Sequence, residues 1–284
     1  MKKKSRYADD FILVLMLGPA LLWFVFFFLV PLAIIVFYSF CERGTYGGIV
    51  YRFTLRNYVE AFDALYLNAF VRSVRIAFLN TFLCLIIGYP VAYYISTKPP
   101  RIKNSLILLV IVPFWTNFLV RTYSWMIILR TEGLVNSLLL GLNILRNPLN
   151  LLFSEKAVVI GLVYGYLPFM ILPIYASIEK VDFLLLDAAK DLGANSMQVF
   201  AKIMLPLTLP GIIAGSILVL IPSLGAFITP DLLGGAKNLM IGNVIKDQFL
   251  AARNWPFGSA IAIILMVIVV LLLKLYLGIN KENE

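Results

Sequence analysis

The sequence predicts an all-α integral membrane protein with six transmembrane helices. Residue composition is 61% hydrophobic and only 14% charged, with a mean hydropathy of +0.92. A soluble domain of 284 residues does not need this much apolar surface, so lipid is part of the solvent. Six apolar runs are each long enough to cross a hydrocarbon core of about 30 Å, which takes about 20 helical residues. Basic residues flank many of these runs, so the net charge of +9 reads as an orientation signal rather than a nucleic-acid surface.

The first run, 11–40, follows Met1-Lys2-Lys3-Lys4-Ser5-Arg6. It is too long for a signal-peptide core and ends in no small-residue cleavage site, so it reads as a retained helix. The second, 69–96, begins with Arg72 and Arg75, which can snorkel outward. The third, 105–129, contains Arg121. An unpaired guanidinium inside a span costs at least ~3 kcal/mol, so Arg121 should face the bundle and meet carbonyls or a partner's carboxylate. Leu138 to Leu145 is short and interrupted by Gly141 and Asn143, which suits an interfacial or re-entrant piece. Spans 157–177 and 208–229 carry Gly161-x-x-x-Gly165 and Gly211-x-x-x-Gly215, spacings that let helices approach closely. The sixth run is 257–277. No repeat, linker or low-complexity tract divides the chain, so 1–284 reads as one transmembrane domain.

With the N-terminus inside, the inner segments hold twelve Lys and Arg against nine outside. That bias is small, but the dense tail of Lys2, Lys3, Lys4 and Arg6 precedes the first helix, which usually dominates orientation. Both termini, and the polar 178–207 loop, are therefore expected in the cytoplasm.

That loop has internal order. Asp182 can cap a short helix carrying Phe183 to Leu186, Ala188 and Ala189. Gly193 permits the left-handed backbone that ends such a helix. Asn195 then offers a new N-cap, and Gln198, three residues on, completes a capping box. The second helix carries Met197, Phe200, Ala201 and Met204 until Pro206 stops or kinks it. Taken alone, the segment suits either an amphipathic loop on the bilayer or a docking element for another protein.

The spacing Asp187-Ala188-Ala189, three residues, Gly193, nine residues, Ile203-x-Leu205-Pro206 resembles the cytoplasmic coupling loop of ABC-importer permeases, usually written EAA, three residues, G, nine residues, I-x-L-P. Asp187 stands where Glu is usual, which keeps the carboxylate on a shorter stem. Longer stretches, including Val112 to Asn117, Pro210 to Gly215, Asp231 to Asn238, Ile241 to Lys246 and Asn254 to Gly258, resemble spermidine/putrescine permeases of the PotB type. The resemblance implies the type I (MetI-like) bundle and a place in the bacterial inner membrane. It also implies docking of the loop into a groove on an ATPase subunit. The implied partners are a second homologous permease, two ATPase subunits and an extracytoplasmic substrate-binding protein. The implied cargo is a polyamine. A relative serving ferric iron, sulfate or another small solute is the alternative, and a channel or uniporter a remote one.

No G-x-x-x-x-G-K-[S/T] loop occurs, and Gly234-Gly235-Ala236-Lys237 lacks that spacing. There is no histidine, and Cys41 and Cys84 are too few and too far apart for a zinc site. No catalytic residue, metal ligand or cofactor is therefore expected in this chain; ATP and magnesium would be used by the partner ATPase. None of the six runs contains Asp or Glu, although a polycation calls for carboxylates or aromatic faces. Trp115, Tyr123, Trp125, Tyr164, Tyr166 and Phe227 are the aromatic candidates, against a plain role in interfacial belts or packing. Phe227 and Ile228, after Leu224-Gly225-Ala226, are candidate gate residues. Asp231 is the nearest carboxylate, either a cargo or binding-protein contact or a cap.

Overall fold

A computed structural model describes residues 16–236 and 238–281, with side chains up to residue 274 except at 237. Residues 11–15 of the first predicted run, the basic tail and Lys237 lie outside the described residues. Five helices are long and apolar enough to cross a membrane, or six when one bent pair is counted as a span. The chain divides into two compact units, 1–64 with 245–284, and 65–244.

In the first unit, helix α1 (Met16–Ser39) is apolar on every side, with mean hydropathy 2.9, and buries none of its most apolar window. Such a helix is at home against lipid. A short antiparallel hairpin, β1 (Glu42–Arg43) with β2 (Ile49–Val50), follows, then the single turn α2 (Arg56–Glu60). Asn57 ties this corner together, donating to the carbonyls of Ser39 at 3.0 Å and Cys41 at 2.8 Å. Helix α12 (Trp255–Lys281) packs along α1.

The second unit holds α3 (Ala64–Ser96), α4 (Pro100–Trp115), α5 (Phe118–Leu129), α6 (Leu134–Gly141), α7 (Glu155–Ile178), α8 (Leu184–Asp191), α9 and the π-helical turn α10 (Pro230–Gly234). Helix α9 runs unbroken from Ser196 to Leu224. Helix α11 (Ile241–Leu250) crosses the boundary between the units. The tightest helix pair is α7 with α9. A Cβ on Gly211 would sit 2.5 Å from the Pro173 carbonyl oxygen, and one on Gly215 would lie 2.9 Å from the Met170 sulfur. The glycine spacing on α9 therefore does what it predicts. On α7 the two glycines differ: Gly161 is pressed by Leu233 and Thr229, whereas Gly165 meets only the Phe118 ring at 3.7 Å.

Two predicted spans and one predicted side-chain role need correction. The 105–129 run is not straight: α4 and the helix beginning at Phe118 meet at 91°. Thr116 is extended, and the Asn117 side chain accepts from the Leu119 amide at 2.8 Å, starting a new helix. The 208–229 span begins earlier, at Ser196, and ends at Leu224. Arg75 does not merely snorkel; it forms an ion pair with Glu155. Arg121 meets the expected carbonyl, donating to Pro113 at 3.2 Å across the bend. Its guanidinium also lies 5.6–5.9 Å from the ring centroids of Phe114, Phe118 and Tyr164.

Prolines inside helices account for two irregular turns. The turns Val25–Leu29 and Phe200–Met204 are π-helical, and each ends two residues before a proline, Pro31 or Pro206. Proline has no amide hydrogen, and its ring crowds the carbonyl four residues back. At these two prolines the ladder widens by one residue, whereas Pro90, Pro168, Pro173, Pro210 and Pro222 sit in helices without such a turn before them. The amide before each proline accordingly reaches five residues back, Val30 to the Val25 carbonyl and Leu205 to the Phe200 carbonyl.

Candidate functional site

The 182–206 segment folds as a helix–turn–helix. The Asp182 carboxylate accepts from the Leu184 amide at 3.0 Å and starts α8. Gly193 ends it with φ +86° in open space, a conformation that L side chains rarely adopt. Asn195 and Gln198 then form a complete capping box, with reciprocal bonds of 2.8 and 2.9 Å. The sequence signals for these features are each satisfied. Pro206 does not stop the second helix, because the π-helical turn before it absorbs the missing amide and lets α9 continue.

One face of this element is fixed to the bundle. Leu186, Val199 and Met204 are buried in a core with Ala92, Ile95, Ile174 and Ile178, and Ala189, Ile203 and Leu205 pack partly against it. Phe200 is not a free anchor: its ring meets Tyr89 edge-on with centroids 5.4 Å apart. The Tyr89 hydroxyl in turn shares a 3.0 Å hydrogen bond with Thr208. The opposite face is open. Leu184, Leu185, Leu192 and Met197 are exposed, Leu192 at 90%, beside the exposed Asp187, Ala188, Gly193 and Pro206. Asp187 pairs with Lys190 at 3.0 Å, and this hydrogen bond and charge hold the lysine above its ordinary pKa. The chemistry offered is a small apolar knob with a carboxylate beside it, suited to a groove in another protein.

At the other end of α9, the candidate gate residues Phe227 and Ile228 do come together with Phe118, Tyr166, Pro222 and Thr229 around a cavity of about 150 Å³. Tyr166 donates to the Pro222 carbonyl at 3.4 Å. Asp231 does not line that cavity. Its carboxylate accepts from Asn243, whose amide also reaches the Phe227 carbonyl at 2.8 Å, while the Asn243 carbonyl receives the Met240 amide at 3.0 Å. This buried knot fixes the 227–243 stretch. Trp115, at the end of α4, and Tyr123 on α5 are exposed and stand away from the cavity lining. Trp125 instead stacks edge-on with Tyr164 at 5.5 Å. Phe118, Thr229 and Asn243 were missed by sequence reasoning. Asn117-Phe118 after Pro113 did carry a capping signal, whereas Thr229 gave none.

Residues 84–280 match the family model described as the binding-protein-dependent transport system inner membrane component. The spermidine/putrescine transport system permease protein PotB of Escherichia coli (strain K12) is 47% identical over 92% of this chain and 97% of its own. Its counterpart in Salmonella typhimurium (strain SL1344) is 45% identical over 97% and 94%. Among solved structures, a bacterial ABC transporter involved in the import of the acidic polysaccharide alginate superposes with a TM-score of 0.77. It is 17% identical and covers 99% of each chain, a likeness of fold. The family consists of transport subunits without catalysis of their own. This chain belongs to it: an ABC-importer permease, an inner-membrane component with the MetI-like fold and PotB-type permeases among its relatives.

Proposed function

We propose that this chain forms half of the translocation pathway of an ATP-driven polyamine importer and takes its power stroke through the 187–206 element. The cargo reading rests on one observation, the 45–47% identity over nearly the whole chain to permeases named for spermidine and putrescine. The coupling reading is supported by the motif at Asp187, Ala188, Ala189, Gly193, Ile203, Leu205 and Pro206 and by the open apolar face that it builds. A second homologous permease would supply the other half of the pathway. Two ATPase subunits would seat the element from the cytoplasm, and a binding protein would deliver cargo at the outer face. Both termini would be cytoplasmic, following the basic N-terminal tail.

ATP binding would close the ATPase pair and move α8. Because the element's inner face shares a core with α3 and α7, and its second helix is α9 itself, that displacement would pass directly to the bundle and alternate its access. No cofactor is assigned to this chain. Labelled spermidine uptake in cells expressing the whole system, competed by putrescine, ferric iron and sulfate, tests the cargo. Competition by putrescine alone is expected. Iron uptake with indifference to polyamines would refute the cargo assignment and leave the permease role intact.

A further inference from the structure

Helices α4 and α5 follow α7 antiparallel, as one broken span. Lys103 pairs with Glu179 at 2.6 Å, and the Phe114 and Phe169 rings meet edge-on at 5.0 Å. Further along, the Phe118 ring lies 3.7 Å from where a Gly165 Cβ would be, and Leu129 shares a buried cluster with Ala157. The break at Thr116-Asn117 is therefore level with the middle of α7, a helix long and apolar enough to cross a membrane. Arg121 stands in the first turn after that break. A guanidinium at this depth is costly, and such residues mark cavities on ion or substrate routes.

Little holds the guanidinium except aromatic rings. Of its five N–H donors, one reaches an acceptor, the Pro113 carbonyl at 3.2 Å. Its Nε is buried without a partner among the described residues. The faces of Phe114, Phe118 and Tyr164 lie 5.7, 5.6 and 5.9 Å from it instead. Beside the rings is a cavity of about 350 Å³, whose lining includes Thr116, Arg121, Ser124, Trp125 and Tyr164. The Thr116 and Ser124 hydroxyls donate to the Pro113 and Val120 carbonyls, so what they can offer a guest is lone pairs. Phe118 also borders the smaller cavity of Phe227 and Ile228, which joins the rings to the candidate gate.

We infer that Arg121 is a tethered competitor of the cargo. At rest its guanidinium fills a cation site made by Phe114, Phe118 and Tyr164, and one ammonium of the cargo takes that site when Arg121 swings into the adjoining cavity. Ring faces attract a guanidinium and an alkylammonium alike, through the same quadrupole. The cavity has room for the displaced side chain, and its hydroxyl lone pairs can receive the freed donors. The two cations cannot share the rings, because like charges in a low-dielectric interior repel strongly. The return of Arg121 therefore expels the amine. Release is secured in this way although none of the six apolar runs carries a carboxylate.

The inference rests on the polyamine reading, and the test separates the two. Equilibrium binding of labelled spermidine is measured on the complete permease–ATPase complex, without binding protein or nucleotide, for wild type, Arg121→Met, Arg121→Gln and Arg121→Lys. Loss of the competing charge is expected to tighten binding about tenfold in the methionine and glutamine variants. Their maximal uptake in the whole system should fall, because an amine held more tightly leaves more slowly. The lysine variant keeps a tethered cation and should stay within about threefold of wild type. Adding Phe114→Leu or Tyr164→Leu to Arg121→Met should reverse most of the gain. Glutamine retains an N–H donor for the Pro113 carbonyl and reports even where methionine fails to fold. Unchanged or weaker binding in the neutral variants would overturn the competitor and leave Arg121 as a prop of the bend. A gain that survives removal of either ring would overturn it too, pointing to an acid of the second permease set free by the loss of Arg121. A wild-type transporter that moves no polyamine would refute the cargo reading and the ammonium site with it.

Discussion

The two ends of α9 are built on opposite principles. At Ser196 the polar groups are spoken for: the capping box bonds both its donors, Phe200 and Met204 are packed, and apolar side chains are left outside. Beyond Leu224 the helix breaks at Gly225: the Pro222 carbonyl receives the Tyr166 hydroxyl, the Ser223 carbonyl receives the Gly225 and Ala226 amides, and the buried Thr229 hydroxyl has no partner among the described residues. A satisfied, rigid end with an exposed apolar face suits transmission of force to another protein. Between them run 29 residues of helix, about 43 Å at 1.5 Å per residue.

The most damaging change should be to that connection. Gly211→Val would force a Cβ into the Pro173 carbonyl, a backbone contact, at a cost of about 3 kcal/mol, the upper end of the usual range for overpacking. A large fall in the thermal midpoint of the solubilised protein is expected. Gly165→Ala, facing only the Phe118 ring at 3.7 Å, should leave it nearly unchanged.

Next comes Gly193→Val at the satisfied end. Nothing crowds the site, so the cost is backbone strain at φ +86°, about 1–3 kcal/mol. It should abolish ATP-driven uptake and co-purification of the ATPase while membrane insertion stays intact. Thr229→Val, at the other end of the helix, should keep the ATPase bound. If both variants lose the ATPase, the division of labour between the two ends is wrong.

Asn195→Ala removes one half of the capping box and should cost about 1 kcal/mol. Faster amide exchange at residues 196–199 with a partial loss of uptake would show it. Smallest is Asp187→Asn. The Asp187–Lys190 pair is solvent-exposed, and since Asp187 raises the lysine pKa, its contribution is present at neutral pH and fades only in alkali. An exposed pair of this kind adds little to stability, so the thermal midpoint near neutrality should barely move, and a marked loss of uptake would place the carboxylate in the ATPase groove.

The satisfied end was legible in the sequence because its determinants are local. Asp182, Gly193, Asn195 and Gln198 act within three residues of themselves, and each does in the structure what its type implies. The bend at Thr116-Asn117 was hidden because the hydropathy of 105–129 is continuous across it, although a capping residue sits in plain view. Thr229 was not legible at all. Its isolation depends on Gly225 turning toward Gly242 and on Gly161 taking its methyl group, contacts distant in sequence. Asp231 drew attention as a rare carboxylate, yet its bond to Asn243 is a matter of loop architecture.

The widened turn at Phe200–Met204 has a consequence for chain length. One extra residue within an α-helix turns everything before it by about 100° relative to everything after. The docking face of α8 and the core-facing stripe of α9 are aligned only with that residue counted in. Deleting one residue between Phe200 and Met204 would give a smoother helix with the knob pointing the wrong way. The nine-residue interval from Gly193 to Ile203 thus works as an angular setting, with the widened turn placed just before Pro206.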